Sequence, residues 1–259
     1  MMEVLYEDNH IIAVNKTCNE IVQGDKTGDT PLSEIVKDYI KVKYNKPGEV
    51  FLGVTHRLDR PTSGVVLFAR TSKALTRLNE MFKSHEQIRK TYWAIVQGCP
   101  KVPEARLENY LTRNESLNKS FIVESRKIKE KSEAKLAVLT YKTLVRGDNY
   151  SLLEINLETG RHHQIRCQLA AIGCPVKGDL KYGAKRSNPD GGISLHARKI
   201  EFIHPVKKEP ICIEAPVPSM VYGSSLLHHF SIQCSVFSCQ RSTACLPRRR
   251  RLRQIYLWR

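Results

Sequence analysis

Residues able to do chemistry gather in two short stretches. In His56-Arg57-Leu58-Asp59-Arg60-Pro61-Thr62-Ser63-Gly64, a carboxylate stands between two arginines, and the apolar run Val65–Ala69 follows at once. Guanidinium groups beside an acid favour its charged form, so Asp59 reads as an anionic reagent in a cationic frame. The same planar donor forks match phosphate, which points to chemistry on a polyanion. The bland alternative is a structural ion pair of Asp59 with Arg57 or Arg60. In the second stretch, Thr159-Gly160-Arg161-His162-His163-Gln164-Ile165-Arg166, a glycine turn opens into an expected helix. Free N–H groups and the dipole at such a start favour an anion. Arg161, His162 and His163 therefore form a candidate phosphate seat, against the reading as solvated surface, and Arg166 projects from it toward another loop. A metal on His162, His163 and Cys167 is set aside, because adjacent helical residues face different ways and no acid or CxxC pair completes a tetrahedral set. Tyr92, in Lys90-x-Tyr92, is either strand core or an aromatic surface for a nucleobase.

These residues need a scaffold, and the apolar spacing supplies one. Val4–Tyr6 and Ile11–Val14 read as short strands around the turn Glu7-Asp8-Asn9. Thr30 predicts a helix cap with Pro31 in the first helical position. Leu32, Ile35, Val36, Tyr39 and Ile40 then form one stripe, which Lys46-Pro47-Gly48 ends. A second helix starts after Ser72 with Leu75, Leu78 and Phe82. Ile88–Val96 reads as a strand with Lys90, Tyr92, Ala94 and Val96 on one face. Further strands are expected at Ala134–Val145 and Tyr150–Leu157, and Asn114 to Lys131 reads as an exposed basic loop or hairpin. A short helix runs from about His162 to Ile172 with Gly173 as its C-terminal cap. Strands near Ser194–His196 and Ile200–Ile203 close the pattern. This is not a regular βαβ repeat. The expected class is α+β, a mixed, mainly antiparallel sheet with flanking helices.

The 259 residues carry a net charge of +16, which makes nucleic acid the first candidate partner. Residues 223–259 hold seven arginines and no acid, leaving +9 in residues 1–222, so the body is basic without the tail. We expect a domain over 1–222 and a basic Cys/Ser/Arg-rich tail over 223–259. That tail is either a nucleic-acid-binding arm or an abnormal C-terminus such as a shifted reading frame produces. Its His228, His229, Cys234, Cys239 and Cys245 match no common zinc finger. The start lacks the basic and apolar regions of a signal peptide, and no apolar run approaches the roughly 20 residues of a bilayer span. Eight cysteines in that context read as cytosolic thiols, so the expectation is a cytoplasmic monomer with no membrane partner.

Taken together, the segments resemble the RluA-type family of RNA pseudouridine synthases, in the family's order over about residues 3–218. The resemblance is carried by Val4–Asp8 with Ile11–Lys16, the His56–Gly64 loop leading into Leu67–Thr71, and Lys90–Gly98. It continues through Thr159–Arg166, Gly173–Asp179 with Tyr182-Gly183, Leu195-His196-Ala197 and Phe202–Pro205. It implies a pseudouridine synthase fold and isomerisation of uridine to pseudouridine in ribosomal or transfer RNA, with no metal and no cofactor. Asp59 matches the catalytic aspartate, which either attacks the nucleotide covalently or assists a glycal-like intermediate. The uracil is then detached, rotated and rejoined through C5. Tyr92 matches the tyrosine beside the target base, proposed to stack and to help remove the C5 proton. Arg166 matches the arginine that pairs with the catalytic carboxylate. Arg57 matches a residue that fills the gap left by the flipped base, and Arg60, Arg161, His162 and His163 are expected on the RNA backbone. Two positions depart from the pattern. His162 stands where the family often has Thr, and Thr17 where it commonly has Pro. No S4 RNA-binding domain is expected before the catalytic domain. Two rivals remain. A non-catalytic RNA-binding protein would need no carboxylate in a basic site, and a phosphate-ester enzyme would need a second acid cluster or a P-loop.

Overall fold

The computed structural model describes residues 2–25, 27–84, 87–123 and 133–218. These lie within one unit, Met1–Val221, whereas the expected tail and part of the basic segment Asn114 to Lys131 fall outside the described residues. Eleven strands make a single sheet: β1 (Glu3–Glu7), β2 (Ile11–Lys16), β3 (Gly53–Val54), β4 (Ser63–Ala69), β5 (Ile88–Gln97), β6 (Glu104–Asn114), β7 (Lys119–Val123), β8 (Lys135–Arg146), β9 (Tyr150–Leu157), β10 (Leu195–Ile203) and β11 (Pro210–Glu214). Their order is β1-β2-β4-β10-β5-β9-β8-β6-β7, with β3 on β4 and β11 on β10. Among the described residues only the β4–β10 pairing, Ser63 with His196 and Gly64 with Ala197, is parallel. The sheet is thus mixed and mainly antiparallel, as expected. Among the described residues no helix is long and apolar enough to cross a membrane.

Among the described residues three α-helices cover the sheet: α1 (Leu32–Lys43), α2 (Ser72–Ser84) and α3 (Gln164–Ala171). Leu32, Val36 and Ile40 of α1 pack with Val66 and Phe68 of β4, and Ile165 and Leu169 of α3 belong to the same core. On the opposite face Ala74, Leu78 and Met81 of α2 pack with Val65, Leu67 and Ala69. Both faces of β4 are therefore covered, which explains why it is an unbroken apolar run rather than an alternating one.

Several boundaries differ from the sequence reading. Thr30 does not cap α1. Pro31 is the N-cap residue, in extended conformation, and the first N–H groups go to backbone carbonyls, Leu32 to Ile21 and Ser33 to Val22. The helix stops at Lys43, before Lys46-Pro47-Gly48, because Asn45 takes a left-handed conformation at φ 47°. The N–H of Lys46 then reaches Lys41 O and that of Asn45 reaches Val42 O, closing the turn. β3, β6 and β11 were not foreseen. β6 alternates half-buried residues such as Ala105 and Leu107 with exposed charges such as Glu104 and Glu108. The two strands expected between Ser194 and Ile203 are one, broken only by a register shift between Ala197 and Lys199. Gly173 caps α3 as expected, at φ 80°, with Cys174 N–H on Leu169 O.

Candidate active site

Asp59 sits in the loop between β3 and β4, and the four consecutive backbone carbonyls from Asp59 to Thr62 are all hydrogen-bonded. Asp59 O accepts from Thr62 N–H at 3.0 Å, Arg60 O from Asn19 N–H at 3.0 Å and Pro61 O from Ile193 N–H at 3.0 Å. Beneath them lies Lys16, fully buried, whose Nζ donates to Thr17 O at 2.9 Å, Arg60 O at 2.9 Å and Thr62 O at 2.7 Å. Burial pushes this amine down to about 8. It is retained because three carbonyls satisfy its three donors. His56 enters the loop as an acceptor, its Nε2 taking the Leu67 N–H at 3.0 Å. Burial holds it down to about 3, so the ring is neutral. At the other end Gly64, at φ +115°, crosses β10 so closely that a Cβ would lie 2.3 Å from Ala197 O. Only glycine fits there.

The second stretch follows β9. Its helix starts later than expected: α3 begins at Gln164, and His163 is the N-cap at φ 52° and ψ 26°. Two N–H groups at the expected phosphate seat, those of Arg161 and Gln164, are taken within the chain. Gln164 Oε1 accepts the Arg161 N–H at 2.9 Å and the Thr159 hydroxyl at 2.8 Å, and the Gln164 N–H goes to Arg161 O at 3.1 Å. The left-handed turn also overturns the expectation that the two histidines diverge. Their rings stack, with centroids 3.8 Å apart and planes 22° apart.

Arg166, on the first turn of α3, joins the two stretches. Its Nη1 donates to Asp59 Oδ2 at 3.1 Å, while Nε and Nη2 form a fork on Asp179 at 2.6 and 2.9 Å. The Arg166 and Asp179 side chains are 5% and 1% exposed, whereas that of Asp59 is 29% exposed toward the cleft. Burial disfavours the Arg166 charge, but the Asp179 bonds and the two carboxylate charges outweigh it and raise its pKa. The guanidinium also lies 5.1 Å from the centre of the Tyr182 ring. Asp59 thus pairs neither with Arg57 nor with Arg60, the partners considered from local spacing. Asp179 and Tyr182 carried no assigned role in the sequence reading, although both fall in segments that bear the resemblance. The signal available was Gly178 at the turn before Asp179, which adopts φ +88°.

A cleft of about 120 Å³ opens over this pair, and Arg57, Asp59, Tyr92, Arg161, His163 and Arg166 all border it. Leu157, Ile165 and Leu195 give it an apolar side. Tyr92 is 9% exposed, and burial, then the Asp59 charge, raises its phenol pKa, so it stays protonated. Arg57 is exposed at the cleft. Two expected residues are not part of the lining. Arg60 turns to Asp29 and Thr27, at 2.5 and 2.8 Å. His162 faces Ser120 and Asn118, its Nδ1 2.9 Å from Ser120 Oγ and its Nε2 3.1 Å from Asn118 Oδ1.

Known proteins resemble this chain over most of its length. The family described as RNA pseudouridylate synthase matches residues 10–171, which include both stretches. A tRNA pseudouridine synthase C from Vibrio cholerae is 32% identical over 254 residues, spanning 91% of this chain and 98% of its own length. A ribosomal large subunit pseudouridine synthase D from Xanthomonas campestris is 32% identical over 230 residues, spanning 84% of this chain and 66% of its own length. The solved structure of human RNA Pseudouridylate Synthase Domain Containing 4 shares the fold, with a TM-score of 0.69 at 22% identity over 88% of this chain and 92% of that one. An identity of this level across nearly the whole of a relative decides the matter: the chain belongs to the RNA pseudouridylate synthase family, whose members are isomerases acting on RNA.

Proposed function

We propose that the protein isomerises specific uridines of transfer or ribosomal RNA to pseudouridine, with Asp59 as the catalytic carboxylate acting on a base flipped into the cleft. The observation that carries this reading is the Asp59 carboxylate, open to the cleft yet held by Arg166. In the reaction the N1–C1′ bond breaks, the uracil turns, a C5–C1′ bond forms, and the proton lost from C5 is balanced by one gained at N1. Asp59 supports the electron-poor C1′ while the base is detached, either by bonding to it or by its charge. Arg166 orients the carboxylate, and Asp179 holds Arg166 from behind.

Tyr92 supplies a flat wall for the uracil. In the resting site its phenol is protonated, because burial and the Asp59 charge disfavour the phenolate. A phenol that keeps its proton stacks on the base but does not take the C5 proton, so acceptance by Tyr92 requires that its own proton first be passed on. Arg57, exposed at the cleft, is placed to fill the stack that the base has left. Arg161, His162 and His163 border the RNA path beside α3. Arg60 meets the backbone from outside the cleft, after exchanging Asp29 for phosphate. The proposed working form is a cytoplasmic monomer.

The test is Asp59→Asn with pseudouridine mapped in transfer and ribosomal RNA. We expect no pseudouridine and RNA affinity close to that of the unaltered protein. Turnover by the variant would end the catalytic assignment. Loss of binding in parallel with turnover would make Asp59 a scaffold residue.

A further inference from the structure

We propose that His163 is a positioning residue for the Asp59 carboxylate, with its tautomer set by Tyr182 and, through Tyr182, by the β6–β7 hairpin. The inference rests on the catalytic role of Asp59 proposed above. His163 lies at the one left-handed position of the second stretch, 8% exposed, with Nδ1 3.0 Å from the Tyr182 hydroxyl and Nε2 3.5 Å from Asp59 Oδ2. The Tyr182 oxygen already accepts the Ser120 N–H at 2.8 Å. Its single proton has two takers, His163 Nδ1 at 3.0 Å and Ser120 O at 3.3 Å.

The shorter contact, to His163 Nδ1, takes the proton. Were the proton to go to Ser120 O, His163 would donate from Nδ1 and turn a bare Nε2 lone pair toward Asp59. With the proton on His163 Nδ1's side, the imidazole carries its hydrogen on Nε2 and presents an N–H to the carboxylate. The donors then run in one direction, from Ser120 N–H through Tyr182 O–H and His163 Nε2–H to Asp59. Burial, then the nearby Arg166 charge, keeps His163 neutral, so the last contact is that of a neutral donor rather than an ion pair. At 3.5 Å it is long, as catalytic contacts often are before substrate binds. Arg166 approaches the same Oδ2, and the two donors fix the angle at which the carboxylate meets the cleft. Ser120 also donates to His162 O at 2.7 Å, so one hairpin residue holds both histidines. A shift of the hairpin is therefore felt at Asp59.

Two measurements on the full chain test this. In ¹⁵N spectra of the imidazoles, His163 should carry its proton on Nε2 at neutral pH, and Tyr182→Phe should give a mixture of tautomers. Protonation on Nδ1 in the unaltered protein would overturn the proposal, and this readout needs no activity. In single-turnover pseudouridine formation at saturating RNA, Tyr182→Phe should be slower by about tenfold, with RNA Kd moved by less than about twofold. An unchanged rate, or equal losses in rate and affinity, would overturn it. Asn and Gly both accept φ near 52°, so His163→Asn and His163→Gly keep the turn while differing in the donor. The Asn variant should be the faster of the two, and equal rates would refute the donor role. If the unaltered protein made no pseudouridine on any RNA while the Nε2 tautomer was observed, the proposed reaction would fail and the tautomer assignment would stand.

Discussion

The cleft wall that carries Asp59 is fixed through backbone atoms: consecutive carbonyls of the loop are taken by Thr62, Asn19 and Ile193 N–H groups and by the Lys16 ammonium. In the facing wall the functional side chains are fixed by other side chains, with Asp179 gripping Arg166, Gln164 closing the turn at Arg161 and Tyr182 meeting His163. Backbone anchoring tolerates changes of side chain, provided that the chain can still follow its path. Side-chain anchoring fails when one partner is lost, because the other is left buried and charged. The two walls should accordingly respond differently to substitution.

The largest effect is expected on the facing wall. Asp179→Ala strips the fork from an Arg166 that is only 5% exposed, leaving Asp59 as its remaining carboxylate partner. Breaking a buried pair from one side costs about 3–5 kcal/mol. We expect a loss of stability of that order together with near-complete loss of turnover. Asp179→Asn, which keeps an acceptor, should recover much of the stability but less of the rate. Urea unfolding and single-turnover assays measure both. An Ala variant as stable as the unaltered protein would show that the fork does not anchor this wall.

On the Asp59 wall, Lys16→Met replaces the ammonium by an apolar group of similar length and takes the donor from Thr17 O and Thr62 O, while Arg60 O keeps the Asn19 N–H. An unsatisfied buried acceptor costs about 1–3 kcal/mol, part of which is returned because a buried charge is also removed. Stability should fall less than in Asp179→Ala, while turnover falls because the loop no longer holds Asp59 steady. A turnover loss below twofold would mean that backbone bonds alone keep the loop in place, about 0.4 kcal/mol being the corresponding barrier change.

The same contrast explains what could be read in advance. The Asp59 loop is continuous in sequence, and Pro61, Gly64 and the doubly covered β4 all announce themselves by residue type. The strand of Tyr92 and the Schellman end of α3 at Gly173 follow equally local rules. Asp179 does not, since nothing in Gly178-Asp179 says which cation it will meet. Arg166 was aimed at another loop from spacing alone, but its split between Asp59 and Asp179 depends on how β10, α3 and the Asp59 loop pack. His162 and His163 were misread because a non-glycine residue in the left-handed region is rare, and that one residue moves the start of α3 and stacks the rings. β6 was missed because its outward face is charged, so its alternation is weak.

The seam between the walls gives a smaller, pH-dependent effect. His196 is 1% exposed on β10, and its Nδ1 lies 2.8 Å from the Ser63 hydroxyl at the start of β4. Its Nε2 faces Ala215 O at 3.5 Å, so Nδ1 is the acceptor for Ser63. Burial holds this imidazole down to about 4 from an ordinary value of 6.5. The unfolded chain therefore takes up a proton as the pH falls through 6.5, and the folded chain does not until about 4. The stability that a neutral His196 contributes is complete above 6.5 and is lost across that window, at up to about 1.4 kcal/mol per pH unit. His196→Gln removes the group, so its stability curve between pH 6.5 and 4 should be shallower than that of the unaltered protein. Parallel curves in urea titrations would show that His196 is not buried as a neutral base.

The smallest effect on the fold is expected at Arg60, the one arginine of the Asp59 loop that turns from the cleft to exposed Asp29. An exposed ion pair of this kind adds little stability, so Arg60→Ala should leave the melting temperature essentially unmoved. RNA affinity separates the two readings of the residue. If Arg60 exchanges Asp29 for phosphate, one counterion fewer is released on binding by the variant. The slope of log K against log salt should then shrink by about one, while the single-turnover rate at saturating RNA stays the same. An unchanged slope would confine Arg60 to its contacts with Thr27 and Asp29. A slower rate at saturation would place it with the side-chain-anchored groups of the facing wall, and the distinction between the walls would no longer hold.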